Sequence, residues 1–115
     1  MANRIDETFR KLRAAGRKAF MPFVTAGDPD LAATAAIIRE MAARGASMVE
    51  LGLPYSDPVA DGPTIQASYT RSLAAGTTLD GIFNMVRELR KDCQLPIAAM
   101  GSFSLAYRRD VDRFI

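Results

Sequence analysis

Short apolar segments alternate with helical patterns along this chain, and this alternation constrains the fold most strongly. The apolar segments predict strands at residues 19–25, 46–51 and 96–100. Between them, apolar residues recur at helical spacing, as in the series Leu31, Ala35 and Ile38. Strands that are separated by helices pair in parallel, because a parallel pair needs a long crossover connection. The sequence therefore predicts an α/β fold with a parallel sheet.

The helical patterns have recognisable ends. A short helix is expected before the first strand, ending near Gly16. Asp28 or Asp30 can cap the helix after the first strand, and Thr78 can cap the helix before the third. The predicted helices cover residues 5–16, 31–44, 64–75, 79–89 and 109–115.

Three strand–helix units indicate a single partial domain over residues 1–115. An eight-stranded barrel of such units needs about 250 residues. The last helical pattern, from Arg109, stops where its apolar face begins. We therefore expect the front portion of a larger α/β domain, with no second domain. In an open sheet, apolar interior residues such as Met48 and Ile97 would lack the opposite wall of a barrel.

Composition excludes several classes of function. The chain has 15 Lys+Arg and 13 Asp+Glu, and the net charge of +2 is too small to favour a nucleic-acid partner. No segment approaches the roughly 18 apolar residues of a membrane span, and the single Cys93 fits a reducing cytoplasm. One basic cluster is typical of a solvated helix face: Arg10, Lys11, Arg13, Arg17 and Lys18.

Histidine is absent from the chain, so any acid–base chemistry must use carboxylates, lysine, tyrosine or the one thiol. Glu50 stands at the end of the second strand, where a side chain of a closed parallel barrel points into the active site. Asp57 and Asp61 follow in a loop that three prolines stiffen. Two carboxylates in different environments can take different catalytic roles. The structural alternative is that Glu50 pairs with an arginine and the aspartates cap turns.

Two segments resemble the alpha subunit of tryptophan synthase. The first is PFVTAGDP at residues 22–29, and the second is ELGLPYSDPVADGPTIQ at residues 50–66. So long a run of Gly, Pro and Asp positions is highly specific, and the similarity continues through residues 71–76 and the following helix. The resemblance implies the first three β/α units of a (β/α)8 TIM barrel, preceded by a short N-terminal helix.

The activity implied by this resemblance is a lyase reaction of tryptophan biosynthesis. Indole-3-glycerol phosphate is cleaved by a retro-aldol step to indole and glyceraldehyde 3-phosphate. The resemblance implies that Glu50 is the general acid–base and that Asp61 hydrogen-bonds the indole N–H. It also implies a beta-subunit partner in an alpha2-beta2 heterotetramer. No metal or cofactor is expected in this chain, and pyridoxal phosphate is expected only in the beta partner.

The resemblance also suggests roles for other residues. Asp57 is similar to a residue that contacts the beta subunit, whereas Phe23 and Leu51 match strand positions that reach the barrel interior, where they would bind substrate or pack. Ser102 replaces a tyrosine that helps line the indole site, and Ser104 replaces an asparagine. Tyr55 stands where the family carries an aromatic residue, and we expect it to pack.

Two other functions remain open from the sequence. One is a truncated, non-catalytic barrel fragment that only binds a beta-type partner. The other is a phosphosugar-barrel enzyme with different chemistry, which the long second segment disfavours. The family holds its substrate phosphate with Gly-rich loops of its second half, and this chain has no such cradle. We therefore expect the 115-residue piece alone to be inactive.

Overall fold

The computed structural model describes residues 2–114. Its strands are β1 (Phe23–Thr25), β2 (Val49–Gly52) and β3 (Ile97–Met100). Its helices are α1 (Arg4–Ala14), α2 (Leu31–Ala43), α3 (Pro63–Ala74), α4 (Leu79–Leu89), α5 (Phe103–Arg108) and α6 (Val111–Phe114). None of the helices described combines the length and the apolar character that a membrane crossing requires.

The three strands form one parallel sheet in the order β1-β2-β3, which confirms the predicted pairing and order. The strands begin later than predicted. In particular, β1 starts only after Pro22, which has no N–H to donate, although its carbonyl oxygen accepts a 2.9 Å hydrogen bond from the Glu50 amide. Residues 19–22 and 46–48 are therefore approaches to the strands and not parts of them.

Side chains at the helix N-termini set where the helices begin. The Asp30 carboxylate accepts a 2.7 Å hydrogen bond from the Ala33 amide, so Asp30 and not Asp28 caps α2. The Thr78 hydroxyl accepts one from the Gly81 amide and caps α4, as predicted. Helix α2 ends at Ala43, and after its C-cap Arg44 the chain turns away at Gly45, whose φ of 88° is easily reached only by glycine.

The hydrophobic core lies between the sheet and helices α2 and α4. Strand residues Val49 and Leu51 pack there with Ile38 of α2 and with Ile82 and Leu89 of α4, all of them buried. The burial of this layer supplies the main driving force for joining the helices to the sheet. The core fixes one face of each strand and leaves the other face for the site described below.

Two expectations about the chain are wrong. Met48 is buried, and Ile97 packs against the core on the helix side of the sheet. Neither side chain therefore lacks cover in the absence of an opposite barrel wall. The last part of the chain forms two short helices and not one, since α5 precedes the predicted start and α6 follows it. Asp110 separates them with a φ of 74°, a left-handed conformation that Asp and Asn tolerate better than most residues.

Candidate active site

Strand β2 presents its residues to two different environments. In the parallel register Glu50 is opposite Phe23 and Ala98, and Leu51 is opposite Val24 and Ala99. Successive side chains of a strand point to opposite faces of the sheet. Glu50 and Phe23 therefore share the face away from the helices, as expected for residues that reach a barrel interior.

Leu51 does not reach that interior, and its prediction as a substrate-binding residue is wrong. Its side chain is 2% exposed and lies in the core with Ile38 and Ile82. The physical reason is the alternation along β2, because the residue after Glu50 must face the helices if Glu50 faces away from them. Leu51 is thus a packing residue.

The loop after β2 is held in shape by one glutamine. Gln66 of α3 donates hydrogen bonds from Nε2 to the carbonyl oxygens of Asp61, at 2.6 Å, and Pro58, at 3.2 Å. The Asp61 amide donates in turn to the Pro58 carbonyl at 3.1 Å. These bonds use the backbone of Asp61 and leave its half-buried carboxylate free, whereas Asp57 is exposed.

The carboxylates of Glu50, Asp57 and Asp61 have no partner within residues 2–114. None of the ion pairs in this part of the chain includes them, and none of its side-chain hydrogen bonds ends on their carboxylate oxygens. Within this range the structure therefore shows neither the Glu50–arginine pair nor the carboxylate-capped turns of the structural alternative. Carboxylates without protein partners are available to a ligand.

A cavity of about 250 Å³ opens beside these residues at the carboxyl end of the sheet. The loop after β2 and the start of α5 both contribute to it. The residues lining it are Tyr55, Asp57, Pro58, Val59, Ala60, Asp61, Tyr69, Met100, Gly101 and Ser102. The structure thus brings Asp61, Asp57 and Ser102 to one cavity, while Glu50 lies beside it on β2.

Ser102 has a structural role in addition to its place in this cavity. It is the N-cap of α5, and its hydroxyl lies 2.8 Å from the Ser104 hydroxyl and accepts a hydrogen bond from the Ser104 amide. The hydroxyls of Ser102 and Ser104 therefore bond to each other at the edge of this cavity.

Tyr69 is a site residue that the sequence analysis missed. Its hydroxyl oxygen and the Phe23 ring lie over Gly52, and a Cβ at Gly52 would be 3.1 Å from Tyr69 Oη and 2.5 Å from Phe23 Cζ. The absence of a side chain at Gly52 is what admits both rings. Burial and the nearby carboxylates of Asp61 and Glu50 raise the pKa of Tyr69, so the phenol stays protonated.

Three contacts hold α3 against the end of β1 and so place Tyr69. The Ser68 hydroxyl lies 2.7 Å from that of Thr25, and the Ser72 hydroxyl donates a 2.6 Å hydrogen bond to the Ala26 carbonyl. Arg71 donates two hydrogen bonds to the Asp28 carboxylate, from Nε to Oδ1 at 3.1 Å and from Nη2 to Oδ2 at 2.8 Å. The spacing of Ser68 and Ser72 on one helical face is the sequence signal that could have revealed this packing.

The family model for the tryptophan synthase alpha chain matches residues 9–115. This chain belongs to that family. Among curated relatives, the tryptophan synthase alpha chain of Geobacter sulfurreducens is 54% identical over 112 residues, which are 97% of this chain and 42% of the relative. The alpha chain of Clostridium acetobutylicum is 47% identical over 115 residues, all of this chain and 44% of the relative.

Solved structures of tryptophan synthase alpha subunits share this fold. The crystal structure of the Legionella pneumophila subunit matches with a TM-score of 0.95 at 39% identity, over 99% of this chain and 44% of that one. The chain thus spans under half the length of the alpha chains it matches. Its strands and helices correspond to the first three β/α units of their TIM barrel, preceded by a helix.

Proposed function

We propose that this chain carries the acid–base part of the alpha reaction of tryptophan synthase, the cleavage of indole-3-glycerol phosphate to indole and glyceraldehyde 3-phosphate. The observation that carries the proposal is that the carboxylates of Glu50 and Asp61 have no partner within residues 2–114, where Asp61 lines the cavity and both influence Tyr69 of its wall. Membership of the alpha chain family supports it.

The reaction has three requirements that this pair of residues can meet. The bond between indole C3 and the glycerol chain breaks, C3 takes up a proton, and the adjacent glycerol hydroxyl loses its proton as it becomes the aldehyde. Glu50 is the proton carrier, since its strand fixes its position and proton transfer to carbon depends on placement. Asp61 accepts a hydrogen bond from the indole N–H and stabilises the positive charge that grows there. The proposed steps use no metal or cofactor from this chain.

Phe23 and Ser102 would form two walls of the site that holds the indole ring. The Phe23 ring covers Gly52 on the Glu50 face of the sheet, and Ser102 lines the cavity. Flat apolar surface suits an indole, and the paired serines add a polar edge. The substrate phosphate would be held by the part of the family fold that lies outside the three units described.

The partner we propose is a beta subunit, in an alpha2-beta2 assembly whose pyridoxal phosphate belongs to the beta chain. Apolar side chains next to the cavity support an interface there, because Val59 is 82% exposed, Phe103 70% and Tyr107 73%. Asp57 lies in the same loop as Val59 and is exposed. The surface around Val59 therefore combines aromatic side chains with the charge of Asp57, and a partner can contact both.

The test uses a completed chain, defined as these 115 residues joined to the remaining C-terminal part of the Geobacter sulfurreducens alpha chain. We expect it to release indole from indole-3-glycerol phosphate without added metal, and Asp61→Asn to lower the rate. A folded completed chain that activates a beta subunit but releases no indole would favour the non-catalytic binding module instead.

A further inference from the structure

Tyr69 is the one phenol that is both buried and directed at the carboxylates of the site, within the part of the chain described. It is 3% exposed, and its hydroxyl oxygen lies against Gly52 at the carboxyl end of β2. No hydrogen bond from residues 2–114 reaches this hydroxyl, yet no side-chain oxygen in that range is both buried and unpartnered. The oxygen is therefore open to the cavity that Tyr69 lines with Asp61.

The surroundings of Tyr69 make it a hydrogen-bond donor. Burial, and after it the carboxylates of Asp61 on the loop and Glu50 on β2, raise the pKa of Tyr69 and disfavour loss of its proton. Tyr55 and Asp57 are the other titratable groups that line the cavity. A protonated phenol beside two acceptors donates to one of them, and Asp61 has the larger influence on the pKa of Tyr69.

Contacts other than those with the loop of Asp61 also fix the position of Tyr69. Helix α3 is tied to the end of β1 by Ser68, Arg71 and Ser72, which flank Tyr69 in sequence. The ring is held between the helix and Gly52 next to the Phe23 ring. The Tyr69 hydroxyl, a donor on a rigid helix, is therefore suited to orient the Asp61 carboxylate, an acceptor on the neighbouring loop.

We propose that Tyr69 is a positioning residue for Asp61: its hydroxyl donates a hydrogen bond to one oxygen of the Asp61 carboxylate and so turns the other oxygen toward the indole N–H. The inference deepens the proposed function and rests on it. The Tyr69 hydroxyl is free to make this bond, since no hydrogen bond within residues 2–114 uses it. The second oxygen then accepts from the substrate in a fixed direction.

The test replaces Tyr69 by phenylalanine in the completed chain, which keeps the ring over Gly52 and removes only the hydroxyl. We expect kcat for indole release to fall roughly tenfold, the effect of losing one hydrogen bond to a charged group, with KM changed much less.

Two comparisons separate positioning from packing. Thr70→Val removes a hydroxyl from the exposed side of the same helix and should leave kcat and KM unchanged. In an Asp61→Asn background, Tyr69→Phe should lose most of its effect, because the group it orients has gone. Melting temperatures of all variants show whether a change in rate follows a loss of folding.

The outcomes distinguish this inference from the proposed function. A parent completed chain that is folded and inactive would overturn both. An active parent whose Tyr69→Phe variant keeps the parental kcat would overturn the role of Tyr69 alone. A Tyr69→Phe effect of equal size in the parent and in the Asp61→Asn background would also overturn the role of Tyr69. Tyr69 would then act on a group other than Asp61.

Discussion

Glu50 and Leu51 are neighbours in the chain and lie on opposite sides of the sheet. Glu50 shares the face of Phe23, whereas Leu51 is buried with Ile38 and Ile82 between the sheet and helices α2 and α4. One residue of β2 is thus available to a ligand and the next anchors the strand that carries it. The two should respond differently to substitution.

Leu51→Ala should destabilise the completed chain by about 2–5 kcal/mol, because it leaves a cavity in a packed layer. Chemical unfolding measures this loss, and Leu73→Ala, at an exposed leucine of α3, should cost less. The indole-release rate of folded Leu51→Ala should stay near that of the parent. A variant of unchanged stability with a raised KM would restore Leu51 as a substrate contact.

Asp28→Asn should make stability less dependent on pH. Arg71 holds the pKa of Asp28 below its usual 3.8, so the ion pair contributes above that pH and is lost as the pH falls through the lower folded-state value. The parent should therefore melt higher than Asp28→Asn at neutral pH, and the difference should shrink in acid. Glu40→Gln, which breaks an exposed pair with Arg44, is the control and should change little. A gap that grows in acid would contradict this account.

The isolated 115-residue chain should self-associate and release no indole. Strands β1 and β3 are both edges of the sheet, and edges offer unpaired N–H and C=O groups to other chains. An apolar groove lies beside β1, where Phe20 is 67% exposed and Ile37 and Met41 also contribute. Size-exclusion chromatography with light scattering measures the association. A monodisperse monomer that cleaves the substrate would show that the three units suffice.

Asp57→Asn should weaken the activation of indole release by a beta subunit without changing the rate of the completed chain alone. Its carboxylate is exposed and has no protein partner in the described chain, so the completed chain alone should keep its rate. Activation by a beta subunit should weaken, because the variant loses a charge at the surface that includes Val59. Indole release is measured with and without the beta subunit. A loss of activity without the partner would place Asp57 in the chemistry.

The sequence predicted the strand order and the cap at Thr78, because each depends on local pattern or on the rules of parallel pairing. The direction of Leu51 was also within its reach, because side chains alternate along a strand and Glu50 was expected to face the barrel interior. The expectation for Leu51 failed because both faces of a parallel strand are often apolar, and apolar character alone does not say which face the helices cover.

The sequence analysis missed Tyr69 because patterns along the chain do not report contacts between distant residues. Its place at the site depends on α3 folding back over β1, which is set by contacts between residues far apart in sequence, Ser68 with Thr25 and Ser72 with Ala26. The division of the last helical segment at Asp110 depends on one left-handed residue. Apolar periodicity carries no signal for either feature, and the only sequence signal for the first is the spacing of Ser68 and Ser72 on one face of α3.

The central claim is that Glu50 moves the proton, and Glu50→Gln in the completed chain tests it most directly. Glutamine keeps the size and polarity of the side chain but has no proton to transfer, so we expect turnover to fall by at least ~10²-fold. Glu88→Gln, at an exposed glutamate of α4 paired with Lys91, is the matched control and should keep the parental rate. Single-turnover indole release by the three folded proteins is the measurement. A Glu50→Gln variant that releases indole at the rate of its parent would contradict the account.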